Sequence, residues 1–275
     1  MEFLKMHGLG NDFVIIDEIN KPYLVEKNLP ELGRKICDRR FGIGADGLVL
    51  LLPSDKADFK MRIINSDGSE AEMCGNAIRC VARYYNEKYF PSRRILAVET
   101  LAGIIRPEVL ENNLVKVDMG RPILKPQEIP VAVDAEPVNI PLEVLDQKFY
   151  FTAVSMGNPH AVIFVDSLAK IELEKYGPLI ETNHLFPRKT NVEFVEVVSP
   201  EKAKVLVWER GAGATLACGT GACAVTVAGR ILGKFREKVE VVLPGGSLFI
   251  EWQFGESVFM TGPAELVFKG EYYLK

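Results

Sequence analysis

The strongest constraint on the fold of this chain is a pattern that it contains twice. The segment MCGNAIRC occupies residues 73–80, and ACGTGACA occupies residues 217–224. Each segment follows a strand-like run, places a cysteine directly before a glycine, and leads into a stretch typical of a helix. The two cysteines, Cys74 and Cys218, lie 144 residues apart in a chain of 275 residues. A repeat over about half the chain predicts two domains built in the same way.

The same offset aligns the segments that precede the predicted helices. FKMRIIN (59–65) falls on AKVLVWE (203–209), and both are typical of strands because they are rich in apolar and β-branched residues. We therefore predict an α+β fold with two pseudo-symmetric domains. The N-terminal half comprises residues 1–118 plus 263–275, and the C-terminal half comprises residues 119–262. Helices are predicted near residues 25–37, 75–88, 168–182 and 219–233.

The composition is typical of a soluble globular chain, with 48% hydrophobic and 25% charged residues. The net charge of −4 gives no electrostatic reason to expect nucleic acid or an anionic membrane as a partner. The N-terminus lacks the basic start and apolar core of a signal peptide, and no apolar run approaches the roughly 18 residues that span a bilayer. These features predict a cytoplasmic protein, in which thiols stay reduced.

Cys74 and Cys218 are each predicted at the first turn of a helix, where exposed backbone N–H groups and the positive end of the helix dipole lie. This position stabilises a thiolate, so the pKa of each thiol is predicted to fall from about 8.5 toward neutrality. The same N–H groups suit a carboxylate, and the glycine after each cysteine lets another group approach the backbone closely. If both helix starts face a cleft between the domains, one small molecule meets two thiols.

Two opposed thiols suit the inversion of a stereocentre, which needs one group to remove a proton from one face and another to deliver a proton to the other. Cysteine is more commonly an inert buried residue, and we expect that role for Cys37, Cys80 and Cys223. Metal chelation by Cys74 with Cys80, or by Cys218 with Cys223, is disfavoured because the spacing places the second thiol on another helix face. A disulfide between Cys74 and Cys218 is disfavoured in a reducing compartment.

Several long segments, in the right order and with the right spacing, resemble the diaminopimelate epimerases over the whole chain. They are MHGLGNDFVIID (6–17), RRFGIGADGLVLL (39–51), INSDGSEAEMCGNAIRC (64–80), SMGNPHAVIFV (155–165), TNVEFV (190–195) and WERGAGATLACGTGACA (208–224). The resemblance implies an isomerase of lysine and peptidoglycan precursor biosynthesis that interconverts LL- and meso-2,6-diaminopimelate without pyridoxal phosphate or metal. It also implies a homodimer, in which each domain is a mostly antiparallel sheet wrapped around a central helix.

The resemblance further implies roles for residues of this chain. Cys74 and Cys218 match the two acid–base cysteines, and His160 and Glu209 match a pair that assists the thiols with proton transfer. The substrate-binding set comprises Asn11, Asn65, Gly75, Asn76, Asn158, Asn191, Glu209, Arg210, Gly219 and Thr220. The two glycines of this set, each with the residue after it, match the amides that hold the reacting carboxylate. The second head group of the substrate needs anion donors such as Arg210 and a carboxylate for its ammonium, as Glu209 provides.

One position departs from the family pattern. Some members carry a glutamine after the aspartate of the GxD motif, where this chain has Gly47, which has no side chain to donate to a substrate. Its partner in the repeat, Asn191, keeps an amide, and Gly47 is left out of the predicted site. Taken singly, the asparagines also fit turn positions, and Glu209 and Arg210 also fit solvated charges at a strand end.

Three other functions remain as alternatives. A proline or hydroxyproline racemase would share the fold, but those proteins resemble a CGH motif more than CGN, and a ring substrate has no second head group for Glu209 and Arg210. A non-enzymatic scaffold with a switchable disulfide would bind ligand without hydrogen exchange. Dependence on pyridoxal phosphate would need a Schiff-base lysine, and no lysine stands out beside a phosphate-binding glycine loop.

Overall fold

The structure is a computed structural model that describes residues 1–22, 24 and 28–273. The chain forms two compact units. The first unit comprises Met1–Asp118 and Thr261–Lys275, and the second unit comprises Met119–Met260. The chain returns to the first unit at Thr261, two residues before the predicted position 263.

The elements of the first unit up to its C-terminal return are β1 (Glu2–Gly8), β2 (Asn11–Asp17), α1 (Leu29–Cys37), β3 (Gly47–Leu52), β4 (Phe59–Asn65), β5 (Glu70–Ala71), α2 (Gly75–Tyr89), β6 (Val98–Thr100), β7 (Gly103–Ile105), β8 (Glu108–Val109) and β9 (Leu114–Asp118). The elements of the second unit are β10 (Ile140–Val144), β11 (Gln147–Ser155), β12 (Pro159–Val165), α3 (Leu173–Glu181), β13 (Asn191–Ser199), β14 (Lys202–Glu209), β15 (Gly213–Ala214), α4 (Gly219–Ile231), β16 (Lys238–Leu243) and β17 (Gly246–Glu251). The chain ends with β18 (Phe259–Pro263), which runs across the boundary at Thr261, and β19 (Glu265–Glu271).

The strands of the two units follow the same order. In the first unit the hydrogen-bonded order is β19-β1-β2-β3-β4-β6-β7, and β5 pairs with β4. The second sheet contains the corresponding run β10-β11-β12-β13-β14-β16-β17 as the first part of its order, and β15 pairs with β14. The parallel pairs correspond too, because β2/β3 and β4/β6 match β12/β13 and β14/β16. The repeat in the sequence is therefore a repeat of topology, and the predicted fold class is confirmed.

In each unit a helix, α2 in the first and α4 in the second, packs against five strands. α2 contacts β1, β2, β4, β8 and β9, and α4 contacts β11, β12, β13, β16 and β17. In α4, residues 221–229 are all buried, and their small side chains let the strands approach closely. Gly229 shows how close this packing is, since a Cβ atom there would overlap the ring of Phe235. α2 and α4 are thus the central helices that the family resemblance implies.

The start of α1 differs from the predicted helix near 25–37. The described helix begins directly after Asn28, whose side-chain oxygen accepts from the backbone N–H of Glu31 at 3.4 Å, and Pro30 lies in its first turn. An asparagine cap and an early proline are typical signals of a helix start. Residues 25–27 of the prediction lie outside the described residues.

The helix predicted over 168–182 is wrong as a single element. Leu168–Lys170 forms a short 3-10 turn, and Ile171 then takes an extended conformation, with φ −99° and ψ 118°, before α3 begins. By contrast, α2 and α4 begin at the predicted Gly75 and Gly219. In the described part of the chain, every helix is too short or too polar to cross a bilayer.

A buried arginine joins the C-terminal return to α2. The side chain of Arg79 is fully buried. Its Nε donates to the carbonyl oxygen of Pro263 at 3.1 Å, and its Nη1 donates to the carbonyl oxygen of Gly75 at 3.1 Å. β19 follows Pro263 and pairs antiparallel with β1. The guanidinium therefore links the first turn of α2 to the returning segment of the chain.

Candidate active site

In the first unit, three predicted site residues meet at the start of α2. Cys74 is the N-cap residue, with extended backbone at φ −142° and ψ 121°. Its Sγ lies 3.9 Å from Oδ1 of Asn11, and the same oxygen accepts from Nδ2 of Asn76 at 3.0 Å. Cys74 is half-buried, whereas Asn76 is buried. The structure thus joins Asn11 to the thiol and to the first turn of the helix.

The orientation of the Asn11 amide is set by an ionic network that sequence reasoning did not predict. Nδ2 of Asn11 donates to Oδ2 of Asp46 at 2.8 Å, so Oδ1 faces Cys74. Arg39 bridges Asp46 and Asp12, with Nη2 lying 2.8 Å from a carboxylate oxygen of each. Burial raises the pKa of Asp12, but hydrogen bonds and positive charge from Arg39 and Lys5 lower it to about 2. Asp12 therefore stays ionised near neutral pH and holds Arg39 against Asp46.

Asn65 is the last residue of β4, and both its side chain and its backbone form hydrogen bonds within the turn that follows. It pairs across the sheet with Gly47, and its Nδ2 donates to Oγ of Ser69 at 3.0 Å. Its backbone N–H also donates to the carbonyl oxygen of Ser69, at 2.8 Å. In this arrangement Asn65 closes the turn that leads from β4 to β5.

In the second unit, Cys218 occupies the corresponding position at the start of α4. It is the N-cap residue, with φ −119° and ψ 109°. The backbone N–H of Gly221 donates to its Sγ at 3.4 Å, and Oγ1 of Thr220 lies 3.5 Å from the same sulfur. The exposed fraction of Cys218 is 5%. The thiol is therefore enclosed by the first turn of its own helix.

The predicted lowering of the thiol pKa is wrong for Cys218. Burial raises the pKa of the Cys218 thiol well above its usual range, and the carboxylates of Glu209 and Glu193 raise it further. The contact with Gly221 acts in the opposite direction but does not outweigh them. Burial also raises the pKa of Glu209, which lies within hydrogen-bond reach of the thiol and accepts from Oγ1 of Thr215 at 2.5 Å. Cys218 therefore keeps its proton at neutral pH.

A chain of side chains leads from Cys218 into the sheet. Nδ2 of Asn158 donates to Oγ1 of Thr220 at 3.3 Å, and Oδ1 of Asn158 lies 3.0 Å from Nε2 of His160. The other ring nitrogen of His160, Nδ1, lies 2.7 Å from Oε1 of Glu193. The structure thus brings together Asn158, His160, Thr220 and Cys218, all of which are predicted site residues.

A model of the diaminopimelate epimerase family matches residues 3–125 and 152–267, which is most of the chain. The chain belongs to this family. Membership identifies it as an isomerase, and two curated relatives agree over the full length. The diaminopimelate epimerase of Carboxydothermus hydrogenoformans is 84% identical over 274 residues, covering 100% of both chains. That of Desulfitobacterium hafniense is 55% identical over 275 residues, covering 98% of this chain and 97% of the relative.

Solved structures with low sequence identity share the fold of this epimerase-family chain. A phenazine biosynthesis protein of the PhzF family from Bacillus anthracis has a TM-score of 0.72 and 17% identity, covering 100% of this chain and 99% of its own. A hydroxyproline epimerase from Agrobacterium vitis, solved with trans-4-hydroxy-L-proline, has a TM-score of 0.69 and 15% identity, covering 98% of this chain and 91% of its own. At such identities the likeness shows the fold alone.

Sequence reasoning missed Glu193, although the family segment TNVEFV contains it. Glu193 lies in β13, where residues 191–195 are all buried, and its side chain is fully buried against His160. A charged residue is rarely buried without a partner. An acidic residue inside an apolar strand was the available signal. In the described residues, no group of three or more His, Cys, Asp or Glu side chains is arranged to hold a metal ion.

The side chain of Asn191 contacts the backbone of Arg210 in the epimerase fold. Nδ2 of Asn191 donates to the carbonyl oxygen of Pro159 at 2.8 Å, and its Oδ1 accepts from the backbone N–H of Arg210 at 2.9 Å. Asn191 is buried, whereas Arg210 is exposed and donates from Nη1 to the carbonyl oxygen of Arg188 at 3.2 Å. In this arrangement Asn191 fixes the backbone from which Arg210 projects.

Proposed function

We propose that this chain interconverts LL- and meso-2,6-diaminopimelate by a two-base mechanism, with Cys74 and Cys218 as the acid–base groups and without a cofactor. The observation that carries the proposal is that both cysteines are N-cap residues at corresponding positions of two units with the same strand order. Family membership and 84% identity to a diaminopimelate epimerase support the choice of substrate. The product would enter lysine and peptidoglycan precursor synthesis in the cytoplasm.

The protonation of Cys218 determines which thiol starts as the base. Because Cys218 keeps its proton, Cys74 acts as the thiolate that removes the α-proton, forming an S–H bond as the C–H bond breaks. Cys218 then delivers its proton to the opposite face of the α-carbon and becomes the thiolate. Substrate of the other configuration runs the same steps in reverse. Glu209 and His160 assist proton transfer at Cys218. Glu209 lies near enough to give a proton back to the Cys218 thiolate after it has protonated the α-carbon.

The α-proton of an amino acid is a very weak acid, so the carboxylate must be stabilised as negative charge develops on it. The backbone N–H groups of Gly75 with Asn76, and of Gly219 with Thr220, begin α2 and α4 and are suited to this task. The remaining polar residues recognise the rest of the substrate. They are Asn11, Asn65, Asn158, Asn191, Glu209 and Arg210.

Incubation with LL-diaminopimelate in D₂O tests the reaction and the substrate together. At early times we expect meso product that carries deuterium at the inverted α-carbon, because the proton delivered by a thiol comes from solvent. Proton NMR reports the loss of the α-hydrogen signal, and mass spectrometry reports the added deuterium. L-Proline, incubated in parallel, is expected to keep its α-hydrogen.

Two outcomes would contradict the proposed function. Racemisation of proline at a comparable rate would favour a racemase with a ring substrate, and inversion without deuterium uptake would exclude exchange through thiols. The same assay after dialysis against a chelator, with no pyridoxal phosphate added, tests cofactor independence. If activity is lost and returns only when a metal ion or pyridoxal phosphate is added, the proposed cofactor independence is wrong.

We also propose that the chain forms a homodimer through β19. This strand ends the sheet order of the first unit, and Leu266, Val267 and Phe268 on it are exposed by 38%, 55% and 46%. An apolar strand at the edge of a sheet favours pairing with another chain. Sedimentation equilibrium is expected to give twice the chain mass, and V267K is expected to shift the mass toward one chain. A wild-type protein that stays monomeric at micromolar concentration would contradict the proposal.

A further inference from the structure

We propose that Glu181 is a positioning residue of this epimerase, which fixes the turn that carries Arg210 and thereby sets the affinity for the second head group of the substrate. The effect on substrate affinity rests on the proposed function, whereas the contacts of Glu181 can be measured independently of it. All of the side chains involved lie in the second unit.

Arg210 lies in a tight turn between β14 and β15. The backbone N–H of Ala212 donates to the carbonyl oxygen of Glu209 at 3.0 Å, which closes a turn of four residues. The third of them, Gly211, has a φ of 79°, as a type II turn requires at this position. We call residues 209–212 the Arg210 turn. The direction in which Arg210 projects depends on how firmly this turn is held.

The side chain of Glu181 contacts the chain on both sides of Arg210. Its Oε1 accepts from the backbone N–H of Gly211 at 3.1 Å, and its Oε2 accepts from Nε1 of Trp208 at 2.8 Å. The side chain of Glu181 is only 8% exposed. Both carboxyl oxygens are thus bonded to the strand end and the turn that present Arg210.

The segment before β13 completes the frame around the Arg210 turn. The backbone N–H of Thr190 donates to the carbonyl oxygen of Glu181 at 3.2 Å. The next residue, Asn191, accepts from the backbone N–H of Arg210, and the carbonyl oxygen of Arg188 accepts from its Nη1. Glu181 therefore holds the Arg210 turn directly and also supports the segment that holds Arg210 from the other side.

The place of Glu181 in α3 indicates that its carboxylate acts on the turn rather than on its own helix. It is the last residue of α3, where the negative end of the helix dipole disfavours a negative charge. A carboxylate has only acceptor atoms, so it receives both N–H groups. A glutamine has a single acceptor oxygen, and its NH₂ group would face the other donor. The paired contacts with Trp208 and Gly211 therefore need a carboxylate.

E181Q is expected to weaken substrate binding, because one of the two N–H groups loses its acceptor and the Arg210 turn is no longer held in one position. Arg210 is assigned to the second head group, remote from the reacting α-carbon, so the loss should appear mainly in KM. Glu209 is anchored separately, since it pairs with Gly213 and accepts from Oγ1 of Thr215. The assistance of Glu209 to proton transfer is therefore expected to persist.

The lost charge alone predicts the opposite change in KM. A negative charge beside the Arg210 turn repels the carboxylate of the substrate, so its removal would by itself strengthen binding and lower KM. Nζ of Lys189 lies 3.5 Å from Oε1 of Glu181, and its side chain is 56% exposed. Without the carboxylate, Lys189 would add further attraction for the substrate carboxylate. A rise in KM therefore reports on the position of Arg210 and not on the charge.

The experiment combines steady-state kinetics with LL-diaminopimelate at pH 7 and two-dimensional proton–nitrogen NMR. In E181Q we expect KM to rise roughly 10-fold and kcat to stay within about threefold. The chain has two tryptophans, so the indole signal of Trp208 is identified by its loss in W208F. In E181Q the indole proton of Trp208 or the amide proton of Gly211 is expected to move upfield, because one of them has lost its acceptor.

W208F provides a rescue that a merely structural role of Glu181 would not produce. Phenylalanine has no N–H group, so the NH₂ group of a glutamine at position 181 no longer faces a donor there, and its oxygen can accept from Gly211. We therefore expect E181Q to raise KM less than about threefold when it is introduced into W208F. E174Q is the matched control, because Glu174 is exposed on α3 and its replacement removes the same charge from the same helix. It is expected to leave KM and kcat unchanged.

Several outcomes would overturn the proposal. They are a folded E181Q with wild-type KM, an equal rise in KM from E181Q with and without W208F, and unchanged signals of both Trp208 and Gly211. In the wild type, the indole hydrogen of Trp208 is expected to exchange slowly with D₂O because a buried carboxylate binds it. Exchange at the rate of free indole would overturn the proposal whatever the variants do. If the wild type shows no epimerisation, the proposed function fails, while the spectra still test the contacts of Glu181.

Discussion

Replacing either Cys74 or Cys218 with alanine is expected to reduce epimerisation on the order of 10³-fold, because each variant retains only one of the two proton-transfer groups. The loss should appear in kcat with either LL- or meso-diaminopimelate as substrate, since each direction needs both a base and an acid. Coupled assays of both directions, with circular dichroism of the folded variants, provide the measurement. Cys74 makes no side-chain cap hydrogen bond, and Cys218 accepts one from the backbone N–H of Gly221 at 3.4 Å. Loss of such a cap costs about 1 kcal/mol, so the fold is expected to persist.

The matched controls are C37A in the first unit and C223A in the second. Both cysteines are buried, with exposed fractions of 2% and 0%, and neither belongs to the proposed site. We expect a modest loss of stability and a kcat within about threefold of the wild type, because neither thiol is a proposed proton-transfer group. Near wild-type turnover by C218A would end the two-base mechanism. An equal loss in C223A would show that the effect of C218A came from packing.

Replacing Arg79 with alanine is expected to lower the free energy of unfolding by about 3 kcal/mol, because two hydrogen bonds from a buried charged group are lost. The carbonyl oxygen of Pro263 would lose a donor, and a cavity would open beside α2. For a protein of this size, such a change corresponds to a fall in melting temperature of roughly 6 to 12 °C. Differential scanning calorimetry measures it directly.

R106A is the control for this prediction, because Arg106 is exposed in the same unit and its loss removes the same charge. Its melting temperature is expected to stay within about 2 °C of the wild type. A melting temperature of R79A equal to that of R106A would show that the guanidinium contributes no net stability, as happens for some buried charges whose desolvation cancels their hydrogen bonds.

The parts of the fold that follow local sequence signals were predictable. The Cys–Gly pairs mark the starts of α2 and α4, and the common offset aligns β4 with β14, because strand patterns and helix starts depend on neighbouring residues. The break before α3 was missed because Ile171 and its neighbours have no strong helix-breaking residue. At α1, Asn28 and Pro30 carry the local signals of the helix start.

The electrostatics of the site could not be read from local patterns. The pKa of Cys218 is raised first by burial and then by Glu209 and Glu193, which lie on β14 and β13, so the helix start alone predicts the wrong direction. The orientation of Asn11 depends on Asp46, which is distant in sequence. The family resemblance identifies the cysteines and the asparagines as candidate site residues. Only the folded chain shows which acidic groups surround each of them.

The first unit is completed by residues that follow the second unit in the sequence, because β19 pairs with β1 and Arg79 donates to Pro263. During translation, the half that emerges first therefore cannot finish its sheet until the segment after the second unit has been synthesised. The contiguous second half has no such delay and is free to fold while synthesis continues. The half made first is thus the half that matures last, and until then the edge of β1 needs protection from aggregation.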